Sequence, residues 1–343
     1  MSFETLRNWI GAGAMAAALA ITGCGKSGSS SSNAGGGGGA PGGGESYVIG
    51  VVAKSQGNPV FKAARVGAED AARDLEDKYG IKVDIRWQTP NSEDAQVQAQ
   101  YVEQLVASGV DGIAISVINA DVLTGALKDA VDQGVQVMTF DSDAPNSGRM
   151  AYYGVDDKAA GAAVMRELAK VMGGEGVVAI LRGNPAATNL QKRVEGVREE
   201  AAKYPGITIK GAYEHPETAN DAASKMQAVQ NANPDITGWA LVGGWPLYTD
   251  NALDGIYEHA KVVSLDPLPL PLEYLKKGQV QVLIGQPYYG WGYESVTYLI
   301  EKLHNAKNPP KEFIYADFDV VTQDNVDEFE SQWNDWLARN AEP

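Results

Sequence analysis

The feature that most constrains this chain is a regular alternation of short, almost wholly apolar runs with longer amphipathic stretches. Val48-Ile49-Gly50-Val51-Val52-Ala53 is the first such run, and the stretch 61–79 after it spaces Ala64, Ala68, Ala71, Ala72 and Leu75 at near-helical intervals. Residues 81–87 then alternate as a strand, 93–107 read as helix, 112–117 as strand, 122–131 as helix and 135–140 as strand. A strand covered on both faces must be apolar at nearly every position, and repeated strand–helix units close into a parallel sheet with helices on both sides. The pattern starts again at Ala151. Strands are expected at 151–155, 177–181, 207–213, 239–242, 262–265 and 280–284, and helices at 159–172, 190–202, 222–231, 293–303 and 326–337. Some 290 residues between Tyr47 and Trp336 exceed the usual domain size of about 100–200 residues, so the sequence predicts two doubly wound α/β lobes.

Ahead of this pattern stands the only cysteine, Cys24, at the end of Ile21-Thr22-Gly23-Cys24. An apolar, small-residue segment at 10–21 precedes it, with Arg7 further upstream. A short charged start, a short apolar core and small residues before a cut describe an export signal. The segment is shorter than the ~20 apolar residues that span a bilayer. The four residues resemble the lipobox of bacterial lipoproteins, in which the thiol is alkylated by diacylglycerol and the chain is cut just before it. The expectation is therefore a signal peptide at 1–23, a lipid on Cys24 that holds the protein to a membrane, and a tether at 24–45. That tether is almost wholly Gly and Ser and behaves as a flexible coil of about 25 Å end to end. Its glycine run lacks the strand before and helix after that a phosphate-cradling loop needs.

Charge and rare residues narrow the partners. The net charge is −16, which argues against nucleic acid and anionic surfaces as binding partners. A single cysteine excludes a disulfide within the chain. The three histidines, His215, His259 and His304, have no metal-ligand spacing, so neither a metal nor a cofactor is expected.

In sheets of this kind ligands bind beyond the C-terminal ends of the strands, where the strand order reverses. The residues following the apolar runs are Asn58-Pro59-Val60-Phe61, Asp141-Ser142-Asp143, the stretch 184–191, Gly243-Gly244-Trp245, Asp266-Pro267 and Gln286-Pro287-Tyr288-Tyr289. They are carboxylates, amides and aromatics with few positive charges. Carboxylates accept hydroxyl hydrogens, amides donate and accept, and aromatic faces cover C–H surfaces, so the set suits a polyhydroxyl ligand. Phosphate would call for Arg, Lys or a helix-start nest. Asp141 and Asp266 have a competing use as helix caps, and Trp87, Trp333 and Trp336 are expected in the core. The two aspartates could also serve a secreted carbohydrate-active enzyme as an acid–base pair, although no nucleophile motif accompanies them.

Four pieces in order carry a family likeness: Ile49-Gly50-Val51-Val52 with Asn58-Pro59-Val60-Phe61; Val137-Met138-Thr139-Phe140-Asp141; Arg193-Val194-Glu195-Gly196; and Val262-Val263-Ser264-Leu265-Asp266 followed by Leu283-Ile284-Gly285-Gln286-Pro287. Over 47–323 the chain resembles the periplasmic sugar-binding proteins of the ribose-binding type, the type 1 solute-binding subunits of ABC importers. The resemblance implies that Asn58, Asp141, Asp266 and Gln286 bind sugar hydroxyls, that Phe61 stacks on the ring, and that Asn189 or Gln191 adds a polar contact. Ser142 stands where ribose binders carry Arg, Val60 replaces a stacking aromatic, and a glycine replaces an Asn ligand beside Trp245, which becomes a substitute stacking face. Asp143 is a further candidate. The family's three lobe crossings map near Tyr153, Gln286 and Ala316, giving lobe one as 46–153 plus 287–316 and lobe two as 154–286 plus 317–338. A monomer that closes on a monosaccharide or polyol and presents it to an importer permease follows. The alternative is a sensor that presents the sugar to a membrane receptor. The related repressors carry an N-terminal DNA-binding helix pair, for which a signal and tether stand here.

Overall fold

The computed structural model describes residues 44–339; the expected signal segment, Cys24 and nearly all of the tether lie outside the described residues. The first sheet takes β1 (Ser46–Val52), β2 (Lys82–Trp87), β3 (Gly112–Ile115), β4 (Gln136–Phe140) and β5 (Ala151–Gly154), joined by α1 (Val60–Tyr79), α2 (Ala95–Ala107) and α3 (Ala120–Asp132). The chain then passes into α4 (Asp157–Met172), β6 (Glu175–Arg182), α5 (Thr188–Ala201), β7 (Gly206–Glu214), α6 (Ala219–Ala232), β8 (Gly238–Leu241), β9 (Lys261–Leu265), α7 (Pro269–Lys276) and β10 (Val282–Gly285). It returns with α8 (Tyr288–Asn305) and β11 (Phe313–Tyr315), and ends with β12 (Asp319–Val321) and α9 (Val326–Arg339).

The two six-stranded sheets have matching orders, β11-β5-β4-β3-β1-β2 and β12-β10-β9-β8-β6-β7. Every ladder is parallel except β10–β12. The order reverses between β1 and β3 in one sheet and between β6 and β8 in the other, so each sheet carries its own switch point. The chain changes sheet three times: after β5, after β10, and between β11 and β12. Each sheet with its flanking helices is called a half below.

Local chemistry explains the elements. β3 and β4 are buried along almost their whole length, as strands with helices on both faces must be. Asp94, Asn119 and Asp156 sit in extended backbone just ahead of α2, α3 and α4 and accept the first free N–H groups of those helices. In the second half α4 and α5 touch backbone to backbone. A Cβ on Gly161 would lie 2.0 Å from the carbonyl oxygen of Arg193, and one on Gly196 would lie 2.0 Å from that of Lys158. Only glycine permits this approach, and it fixes the height of α5 over the sheet.

Four expectations change. The repeat of the pattern begins one strand later than 151, because β5 pairs with β4 and completes the first run of strands. The helix expected at 293–303 starts at Tyr288, its first turns hidden in the sequence by Gly290 and Gly292, poor helix formers. The strands β11 and β12 are three residues long and α7 opens on Pro269-Leu270-Pro271, too little periodicity to read in advance. The second sheet is mixed, not wholly parallel. Trp333 and Trp336 are buried as expected, while Trp87 is half-buried at the rim of a surface pocket that also borders Asn58 and Phe61. The helix carrying the first two, α9, leans on both halves. Trp336 stacks on Tyr289 and Arg339 pairs with Asp70 on one side, and Lys276 pairs with Asp327 and Glu330 on the other.

Candidate functional site

The C-terminal strand ends of both sheets meet in a cleft. β4 ends at Phe140, and Asp141 turns into the left-handed region at φ 56°; β9 ends at Leu265, and Asp266 does the same at φ 72°. That conformation is strained for most residues but open to Asp and Asn. The two carboxylates are 6% and 5% exposed. Neither caps a helix: α7 is preceded by Leu268, and only a short 3-10 turn follows Asp141.

Between them lies a small cavity of about 20 Å³, room for about one water molecule. Seven of the expected residues line it: Asn58, Phe61, Asp141, Asn189, Trp245, Asp266 and Gln286. Trp291 lines it too, in keeping with the aromatic weight expected near the cleft from Tyr288, Tyr289 and Trp291, and so do Lys54, Arg193 and Glu217, which were not foreseen as site residues. The expectation of few positive charges is therefore corrected, since Lys54 and Arg193 are both buried there. Lys54 stands at the C-terminal end of the first apolar run, the place where ligand residues are sought, yet a lysine just past a strand looks like an ordinary surface residue. Burial works against both charges. Asp141, Glu93 and Glu217 nevertheless hold the Lys54 pKa above its ordinary value, and Asp157, Asp141 and Asp266 do so for Arg193, so both remain cations.

The second half is a finished network. The Arg193 guanidinium donates to Asp157 Oδ1 at 2.8 Å and to Gln286 Oε1 at 2.7 Å, and it also reaches the Val242 carbonyl oxygen at 3.3 Å. Gln286 Nε2 and the Tyr288 hydroxyl donate to Asp266 Oδ1 at 2.8 and 2.9 Å, while the Gly244 N–H and the Tyr248 hydroxyl donate to Oδ2 at 2.9 and 3.1 Å. A carboxylate has about four acceptor positions, and all of those on Asp266 are taken. Burial and the neighbouring Asp266 charge push both tyrosine hydroxyls far above their ordinary range, so they stay donors. Burial also raises Asp157, to about 6, despite Arg193 beside it.

The first half is looser. Asp141 Oδ2 accepts from the Ser116 hydroxyl at 2.6 Å, and Lys54 Nζ stands off at 3.8 Å. The contacts from Lys54 and Asp141 across to α5 are long: Lys54 to Asn189 at 3.5 Å, Asn189 to Asp141 at 3.3 Å and Arg193 to Asp141 at 3.7 Å. Good hydrogen bonds between such groups run to about 3.2 Å. Farther out, a chamber of about 580 Å³ lies between the halves, bordered by Asn91, Glu93, Asn184, His215 and Glu217. Burial and the facing Glu217 carboxylate push Glu93 well above the usual carboxylate range.

Three expected site residues are not at the cavity. Asp143 is closed off by Arg149, whose guanidinium reaches its two oxygens at 2.5 and 2.6 Å, and by the Thr139 hydroxyl at 2.6 Å. Ser142 is buried away from the cavity, its hydroxyl without a partner among the described residues. Gln191 is exposed and donates to the Pro185 carbonyl oxygen. Residues two apart on a helix face nearly opposite ways, so Asn189 on the same helix points inward and Gln191 cannot. The structure also accounts for Gly243-Gly244: a Cβ on Gly243 would lie 2.0 Å from the Trp245 ring, and one on Gly244 would lie 2.9 Å from the Tyr248 hydroxyl. Trp245 fills the room that a side chain at 243 would occupy. Among the described residues no cluster of three or more His, Cys, Asp and Glu side chains is placed to hold a metal ion.

The chain is 27% identical over 192 residues to a D-apiose import binding protein of Actinobacillus succinogenes, covering 56% of this chain and 60% of that one. It is 29% identical over 161 residues to a xylitol-binding protein of Mycolicibacterium smegmatis, covering 46% and 45%. The matches thus span only about half to three fifths of those relatives' own length. In structure it is similar to an ABC transporter solute binding protein of Burkholderia graminis in complex with D-arabinose, with a TM-score of 0.75 and 30% identity, covering 82% of this chain and 96% of that one. Residues 49–308 match the family described as periplasmic binding protein domain, and the chain belongs to that family, with the two-sheet architecture of its type 1 members.

Proposed function

We propose that this protein binds one monosaccharide or polyol in the cleft between its halves and hands it, unchanged, to an ABC importer outside the cytoplasm. The observation that carries the reading is the contrast in the cleft. Bonds within the second half run at 2.7–3.1 Å around Asp266 and the Arg193–Gln286 pair, whereas those bridging to Lys54 and Asp141 run at 3.3–3.7 Å. A polyhydroxyl ligand inserted there replaces three long contacts with short ones, and its binding energy goes into drawing the halves together. Asp141, Asn58 and Lys54 serve it from one side, Asn189, Arg193 and Gln286 from the other, Phe61 covers a C–H face, and Trp245 closes the second side of the cavity. Asp266 joins by exchanging a tyrosine hydroxyl for a sugar hydroxyl. The cavity holds two cations among several carboxylates, which favours a neutral ligand over a sugar phosphate.

The lobes in this reading are 46–153 plus 287–316 and 154–286 plus 317–338, hinged where the chain changes sheet. Relatives that are import binding proteins for apiose and a solute binding protein holding D-arabinose support the cargo class and the importer as partner. The Ile21-Thr22-Gly23-Cys24 sequence supports a lipid anchor on Cys24, and the protein acts as a monomer. The test is a thermal-shift screen against pentoses, hexoses, deoxy-sugars and polyols, since a ligand that binds only the folded state raises Tm. One sugar shifting Tm by several degrees supports the reading; a protein that responds to no neutral sugar or polyol contradicts it.

A further inference from the structure

Two side chains at the cavity carry a donor that the protein itself does not use. Nε1 of Trp245 and Nε1 of Trp291 are buried and have no hydrogen-bond partner among the described residues. The residues are 6% and 1% exposed and both border the cavity. Buried N–H groups are paired in nearly all native proteins. The Trp291 ring packs against Phe61 at 6.0 Å, Phe140 at 6.3 Å and Tyr288 at 5.1 Å, contacts that leave its N–H unused. Asp266, which lines the same cavity, already has its four positions filled. The two donors come from opposite halves, Trp291 on α8 and Trp245 after β8.

We infer that Trp291 and Trp245 bind the ligand through their indole N–H groups, each donating to an acceptor oxygen of the sugar from its own side of the cleft. This rests on the sugar-binding reading above and adds a requirement to it. A sugar hydroxyl both donates and accepts, so one that gives its hydrogen to Asp141 takes one from an indole, and the chained bonds reinforce each other. The site then discriminates against deoxy-sugars at two ring positions, while a fluoro-sugar, which keeps an acceptor, is rejected less. Trp245 has a rival partner: the His215 ring stands edge-on at 5.3 Å, and its Nδ1 faces the Pro216 carbonyl oxygen at 2.6 Å, which leaves Nε2 as an acceptor.

The experiment uses the chain from Cys24 onward labelled with 15N-tryptophan, whose six indole signals are counted before and after saturation with the sugar found in the screen. Two indole signals are expected to move and gain protection from exchange, and Trp291→Phe is expected to remove one of them and weaken affinity about tenfold, the worth of one neutral hydrogen bond. Trp245→Phe should do likewise. An unchanged affinity in Trp245→Phe would assign that N–H to His215 and overturn the inference for that residue. Indole signals that stay put while sugar is bound overturn it entirely, and they do so even if a variant fails to fold. A protein that binds no sugar overturns the function instead, and this inference with it.

Discussion

Asp141 and Asp266 occupy the same place in the two halves, each just past a central strand and each in left-handed backbone, yet they are held quite differently. Asp266 is bound by four donors from its own surroundings at 2.8–3.1 Å. Asp141 has one short bond, to Ser116 at 2.6 Å, and long contacts to Lys54, Asn189 and Arg193. One aspartate organises its half; the other waits for donors. A fold that repeats the same strand-end position twice can thus use one copy to build the wall and the other to grip what enters. The stronger grip belongs where bonds are unfinished, since a filled acceptor must release a partner before it can bind a ligand.

The largest effect should come from Asp266→Ala. It strands a buried backbone N–H, an amide and two hydroxyls together, and a loss of about 3–5 kcal/mol in urea unfolding is expected, along with ligand binding. Asp141→Asn should reverse the balance. Affinity should fall about a hundredfold, by loss of charged acceptor bonds, while stability changes by about 1–2 kcal/mol, since Lys54 regains water when the halves part. Equal stability losses in the two variants would erase the distinction between them.

Glu93 sharpens the comparison through pH. Its pKa is raised by burial and by Glu217 where the two halves approach, so closure, which buries it further, keeps a proton that the open state gives up. Closure is then most favoured below the ordinary carboxylate range and weakens as pH rises through the raised value. Calorimetric affinity for a neutral sugar should fall by a few-fold from pH 5 to pH 8, and Glu93→Gln should flatten that slope. A wild-type affinity independent of pH would contradict the pairing of these carboxylates. Smallest of all, Gln191→Ala, which removes an exposed side chain, should change affinity less than twofold and stability by less than about 0.5 kcal/mol.

Much of this was legible beforehand, for a physical reason. Strands buried on both faces are apolar throughout, so the residue where polarity resumes marks a strand end, and Asp141, Asp266 and Gln286 stand at such breaks. Where that contrast was missing the reading failed. Asn189 and Gln191 differ only in helical phase, which needs the start of α5 to a single residue. Lys54 and Arg193 look like surface charges until the second half covers them. Tyr248 and Tyr288 hold Asp266 from loop and helix positions with no periodic pattern to announce them. Asp143 sits beside Asp141 in sequence, but its partner Arg149 could be recognised only after the turn between them had folded back.

The most direct test is a calorimetric titration of the wild-type protein and of Asp141→Asn with pentoses, hexoses and polyols. The account predicts one neutral sugar or polyol bound at a ratio of one to one, with most of the binding free energy lost in the variant. Tight binding of a sugar acid or phosphate in place of any neutral ligand, or a neutral sugar bound equally well by both proteins, would contradict it.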